Sequence, residues 1–172
     1  MKKRARAGIG VHTKKAPTIS FEDEKLLCDR GIFDLKTGQG ILNAIFFKIG
    51  IHFALRGGKE HQNLKISNFQ LVNTDGAEQL KYTEDISKTN QGGILHRKIQ
   101  PKEVVVKDDK SCKEPGIVLI FKTYVNACPD PRPEKFYLQP IFNPRSHILF
   151  SRQHVGINKL NGMVRKMMNE IR

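Results

Sequence analysis

The chain alternates between segments with helical spacing of apolar residues and segments with strand-like alternation. Residues 21–30, "FEDEKLLCDR", open on acids, close on a base and are followed by Gly31. Ser20 in front, with Asp23 three residues on, predicts a capped short helix. In residues 37–53, Ile41, Leu42, Ile45, Phe46, Ile49 and Phe53 recur at helical steps, and Phe47 and Ile51 add apolar groups on the other side. A helix apolar nearly all round belongs at the centre of a core. Gly57 and Gly58 predict its end at or near Arg56. "SNFQLVN" and "QLKYTEDI" flank Asp75-Gly76, a hairpin signal. After the polar turn "SKTNQGGI", "LHRKIQPKEVVVK" can supply a third strand of a small antiparallel sheet. "EPGIVLIFKTYVNACP" predicts a helix between Pro115 and Pro129, with Ile117, Ile120, Phe121, Tyr124 and Val125 on one face. The proline-interrupted "DPRPEKFYLQPIFNPRSH" reads as loop, with one extended piece at Lys135–Leu138. A last amphipathic helix places Ile157, Leu160, Val164, Met167 or Met168, and Ile171 on one side.

Charge changes this picture more than length does. The 172 residues suffice for one domain and a tail. Thirty Lys and Arg against seventeen Asp and Glu leave +13 and an isoelectric point near 9.8, a balance suited to polyanions, nucleic acid first. Residues 1–20 hold Lys2, Lys3, Arg4, Arg6, Lys14 and Lys15 and no acid, which predicts a basic mobile tail ahead of a domain at 21–172. "KKRAR" fits a nuclear-import or phosphate-contacting patch. No apolar run reaches membrane-spanning length, and the basic start lacks the apolar stretch of a secretory signal. Cys28, Cys112 and Cys128 are odd in number, and read as reduced, buried thiols.

Several chemistries fail on spacing. "RGGKE" has Glu60 where a phosphate-binding P-loop needs Ser or Thr, lacks the upstream glycine, and follows a helix where the motif needs a strand. The six histidines and three cysteines form no zinc-ligand spacing, and no nucleophile elbow is present. No metal, cofactor or nucleotide is expected. Arg56 keeps two readings. At a helix C-terminus it can satisfy terminal carbonyls. Its fixed fork of donors also suits a phosphate clamp.

Four stretches, "FFKIGIHFALRGGKEHQNLKISNFQ", "YTEDISKTNQGG", "FYLQPI" and "VGINKLNGMVRKM", resemble the tyrosine-recombinase-derived domain of crypton transposons. A similar domain lies at the C-terminal end of MYM-type zinc-finger proteins and their glutamine-rich relative. The resemblance runs from about Phe21 to Arg172, and "LRGGKEH" and "YTEDISK" are its most specific parts. It implies an α+β fold, a mainly helical core with a small three-stranded antiparallel sheet, as part of a tyrosine-recombinase catalytic domain. Such enzymes open DNA with a tyrosine while two arginines and a histidine hold the phosphate and a hairpin lysine protonates the leaving oxygen. Arg56 matches the first arginine. Lys88 matches the hairpin lysine, with Lys81 the weaker match. Glu60 stands four residues after Arg56, where integrases usually have an acid three after, a spacing the crypton-like domains share.

The remaining parts of that site depart from the pattern. The residues three past His12, His52, His61, His96, His147 and His154 are Lys15, Leu55, Leu64, Ile99, Phe150 and Ile157, so no His-x-x-Arg occurs. Tyr82, Tyr124 and Tyr137 all precede the final helix, where the nucleophile does not belong. The expectation is a domain cut short before the second half of the site, and no enzyme, because a cooperating set loses orders of magnitude when one member is removed. Arg56 and Lys88 are then inherited positions. The expected function is DNA or chromatin contact in the nucleus through Arg56, Lys59, Lys65, Lys88, Arg97 and Lys98. The alternatives are a scaffold for nuclear protein partners and a fragment of an active recombinase. Without covering helices, Met163, Met167 and Met168 are expected to be exposed.

Overall fold

The computed structural model describes residues 18–55, 57–74, 76–85, 101–108 and 114–172. Among these are five α-helices: α1 Phe21–Asp29, α2 Gly38–His52, α3 Gly57–Asn63, α4 Ile117–Asn126 and α5 Ile157–Ile171. The strands are β1 Phe69–Thr74, β2 Ala77–Thr83, β3 Glu103–Lys107, β4 Leu138–Pro140 and β5 Phe150–His154. β1, β2 and β3 form an antiparallel sheet in that order, and β4 pairs β5 in a second, two-stranded one. The fold is α+β, as the pattern and the resemblance imply.

Local signals explain most element starts. Ser20 Oγ accepts the Asp23 amide at 3.1 Å and Asp23 Oδ2 accepts the Ser20 amide at 2.9 Å, a complete capping box on α1. Thr37 Oγ1 caps α2 by accepting the Gly40 amide at 3.1 Å. Asp108, just past β3, caps α4 from a distance, its carboxylate accepting from Val118 at 2.8 Å and Leu119 at 3.3 Å. Thr74 pairs with Ala77, so the expected hairpin of β1 and β2 forms, and Gly76 takes φ +73°; Asp75 lies outside the described residues.

The core surrounds α2, with Ile41, Leu42, Ile45, Phe46 and Ile49 buried. α4 adds Ile117, Ile120, Phe121 and Tyr124, and the sheet adds Phe69, Leu80 and Tyr82. Phe53, at the end of α2, stacks toward Phe69 and Tyr82, and Phe69 continues to Phe121 and Phe136. This aromatic chain joins helices to sheet.

Several expectations need correction. α2 ends at His52, short of Arg56. The Leu55 amide donates to Gly50 O at 3.1 Å and the Ala54 amide to Ile51 O at 3.4 Å. That is the Schellman ending, with Ala54 at φ +53° where glycine is usual. Burial of Phe53 against the sheet sets the stop, ahead of the glycines. Gly57 and Gly58 instead open α3. The extended piece expected at Lys135–Leu138 within a loop is found as a strand at Leu138–Pro140, shifted toward the C-terminus. Its register with β5 is irregular, so no period-2 pattern marks it in the sequence. Met163, Met167 and Met168 are 4, 2 and 6% exposed, not bare, because α5 packs against α1, α2 and α3. Cys128 is buried as expected, Cys28 is only half-buried, and Cys112 lies outside the described residues. The expected tail lies outside them too, up to residue 17.

Candidate nucleic-acid interface

Of the six residues expected to contact DNA, Arg56, Lys88, Arg97 and Lys98 lie outside the described residues. Lys59 is exposed on α3. Lys65 lies in the link from α3 to β1, and its Nζ is 2.8 Å from Asp85 Oδ2. That carboxylate also accepts from Asn68 Nδ2 at 3.0 Å. The hydrogen bond to Asp85 raises the Lys65 pKa, and the same bond, ahead of Asn68, lowers that of Asp85. Lys65 thus already has its counter-charge. Lys81 on β2 likewise pairs with Glu103 at 2.9 Å. At the end of α2, Lys102 Nζ donates to Phe53 O at 3.3 Å.

Among the described residues, a basic surface without ion pairs lies elsewhere. Residues 135–169 contain Lys135, Arg145, Arg152, Lys159, Arg165 and Lys166 and not one Asp or Glu. None of the six joins an ion pair among the described residues. α5 buries Leu160, Met163, Met167 and Ile171 at 3- and 4-residue steps, which turns Lys159, Arg165 and Lys166 outward. Its position is fixed at two points. Asn161 Oδ1 accepts the Gly58 amide of α3 at 3.1 Å, and a Cβ on Gly58 would stand 2.0 Å from that oxygen. The Val155 amide, just before α5, donates to Tyr137 O at 2.9 Å.

Lys159 and Lys166, two turns apart, border a hollow of about 220 Å³ between α5 and the start of α2. Asn158 and Glu170 of α5 and Gln39 and Asn43 of α2 complete its rim. Lys159 Nζ donates to Gln139 Oε1 of β4 at 3.1 Å, which links the helix to the β4–β5 hairpin. Partial burial, and next the charge of Lys166, lower the Lys159 pKa. An anion between the two ammonium groups would relieve that repulsion. The run of 35 residues without an acid is the sequence signal of this surface.

The three tyrosines are core residues, 5, 0 and 3% exposed for Tyr82, Tyr124 and Tyr137. Tyr124 Oη donates to Phe136 O at 2.5 Å and accepts the Leu138 amide at 2.9 Å. Tyr137 Oη lies 2.9 Å from His61 Nδ1, and His61 stacks on Phe46 with centroids 4.2 Å apart. Burial raises all three phenol pKa values, that of Tyr82 to about 12, and pushes the His61 imidazole down to about 4. Burial also lifts the Cys128 thiol to about 11 despite Arg132 beside it. Among the described residues no three His, Cys, Asp or Glu side chains gather as a metal site would require, and no single helix is long and apolar enough to cross a membrane.

No curated protein and no solved structure matches the chain. A family described as a domain of unknown function, DUF3504, matches residues 18–169. That span covers nearly the whole chain, which therefore belongs to the DUF3504 domain family.

Proposed function

We propose that this domain is a non-catalytic module derived from a crypton-type tyrosine recombinase, and that it holds DNA in the nucleus by its phosphate backbone. The observation that carries the DNA reading is the basic flank of the β4–β5 hairpin and α5, acid-free from 135 to 169, where Lys159 and Lys166 have no ion-pair partner among the described residues and border one hollow whose rim holds a single acid, Glu170. Lysines without protein counter-charges release DNA counterions on binding, the main source of affinity for a duplex. Arg56, Lys59, Lys65, Lys88, Arg97 and Lys98 add to this charge, with Lys65 contributing less because Asp85 holds it.

The non-catalytic part rests on the tyrosines. A nucleophile must reach a phosphorus atom, whereas Tyr82, Tyr124 and Tyr137 are buried side chains, and the Tyr124 and Tyr137 hydroxyls are held by buried partners. Burial disfavours their phenolates further. The absence of His-x-x-Arg within these 172 residues agrees with this reading.

Mobility-shift titrations on a short duplex over a salt series test the proposal. Log affinity is expected to fall linearly with log salt. Lys159→Ala with Lys166→Ala should weaken binding to every sequence alike and reduce the slope by about 2. Lys65→Ala with Lys81→Ala should change it less, and Arg56→Ala with Lys88→Ala probes the inherited positions. Absence of binding at low salt overturns DNA contact. A covalent protein–DNA adduct on a nicked substrate overturns the non-catalytic part.

A further inference from the structure

Phe142 is 91% exposed, and among the described residues the next most exposed large apolar side chain is Phe21 at 63%. It stands on the tip of the β4–β5 hairpin, where residues 141–147 are all exposed. The base of that hairpin is held firmly. Leu138 and Phe150 are fully buried, the Ile141 amide donates to Leu149 O at 2.8 Å, and the Leu149 amide donates to Ala127 O at 2.9 Å. Gly38, at the start of α2, lies so close that a Cβ there would meet Leu149 O at 2.9 Å. Immediately after Phe142 the chain turns sharply, with Asn143 at φ +58° and Pro144 next. The phenyl ring is therefore carried on a short, anchored support, which limits the conformational entropy lost when it binds.

The surroundings select the partner. Arg145 and His147 share the tip, Arg152 lies on β5, and no acid occurs from 135 to 169. Gln139 of β4, three residues before Phe142, bonds Lys159, so the base of the hairpin adjoins the lysine-bordered hollow. An exposed ring interleaved with unpaired cations matches a base next to its phosphates. A duplex hides the faces of its bases, so a ring on a loop can stack only where a base is unpaired.

We propose that Phe142 stacks on an unpaired base, which makes the hairpin tip a contact for single-stranded or locally opened DNA. The inference rests on the DNA reading above and adds to it a base contact and a preferred form of the nucleic acid.

Fluorescence anisotropy with the full chain tests it on three probes: oligothymidine, an abasic strand of equal length, and a duplex of equal length. Oligothymidine should bind about 5- to 100-fold more tightly than the abasic strand, the range expected for one stacked base. Phe142→Ala should remove that difference and leave abasic affinity unchanged, Phe142→Trp should restore it, and Phe142→Leu should not. Retention of the oligothymidine preference in Phe142→Ala, or its full recovery in Phe142→Leu, overturns stacking while leaving backbone contact intact. Loss confined to the duplex overturns it in favour of a groove wedge. Failure of the unaltered chain to bind any probe overturns the DNA reading and this inference with it. The exposed position leaves the fold in place, which an unchanged melting curve verifies.

Discussion

The surroundings of the three-stranded sheet and the β4–β5/α5 flank both carry lysines, but they dispose of that charge differently. Near the sheet three lysines are spent on neighbours, Lys65 on Asp85, Lys81 on Glu103 and Lys122 on Glu78, while Lys107 of β3 has no ion pair among the described residues. On the flank none of six Lys and Arg has an acid partner among the described residues. Exposed ion pairs add little to stability. Their consequence lies in what remains for a polyanion, since a paired lysine must give up one partner to gain another. Net charge alone does not say which face is available, and pairing does.

The comparison requires that α5 stay docked, because docking turns its cations outward. Met167→Ala removes a fully packed side chain from that contact and should cost about 2–5 kcal/mol, read from urea melts. A cost near zero would mean that α5 is not held as described, and the flank would lose its geometry. The second test concerns the buried contact of α3 beneath α5. His61 is held near pKa 4, below its usual 6.5, so the folded state resists protonation that the unfolded state accepts. Stability is complete above about pH 6.5 and should fall by about 3 kcal/mol as pH drops toward 4. Melts at both pH values should show that fall, and His61→Gln should flatten it. A pH-independent parent would contradict the burial.

A smaller effect converts one region into the other. Asp85→Asn with Glu103→Gln removes two acids and releases Lys65 and Lys81. DNA affinity should rise severalfold with a steeper salt slope, on the order of one more neutralised phosphate. Unchanged binding would show that pairing does not limit the sheet face. Smallest is Ala54→Gly, which relieves a left-handed alanine and should raise stability by up to about 1 kcal/mol, seen as a higher melting temperature with unaltered DNA binding.

The elements whose signals are local were legible in the sequence. Ser20 with Asp23 announces α1, Asp75-Gly76 announces the β1–β2 hairpin, and the apolar run from Ile41 to Ile49 announces a central helix. Each depends on residues within a few positions of one another, so spacing is enough. The site was legible only in part. Composition points to a polyanion, but the pairing of Lys65 with Asp85, 20 residues away, leaves no mark in the local sequence. Phe142 in a proline-broken stretch looks like any loop residue until its neighbours are seen to leave it bare.

By itself, then, the sequence determined the α+β class, the order of most elements, membership of the DUF3504 family and the excess of positive charge. The tertiary structure decided where α2 stops, because Phe53 is claimed by an aromatic chain from the sheet before the glycines are reached. It decided that the methionines of α5 are covered, because α1, α2 and α3 meet that face. It also decided which cations are unpaired, because a counter-charge belongs to whatever lies within a few ångströms. Periodicity reports only what one element does along its own axis, whereas pairing and burial depend on residues that are distant in the chain and adjacent in space.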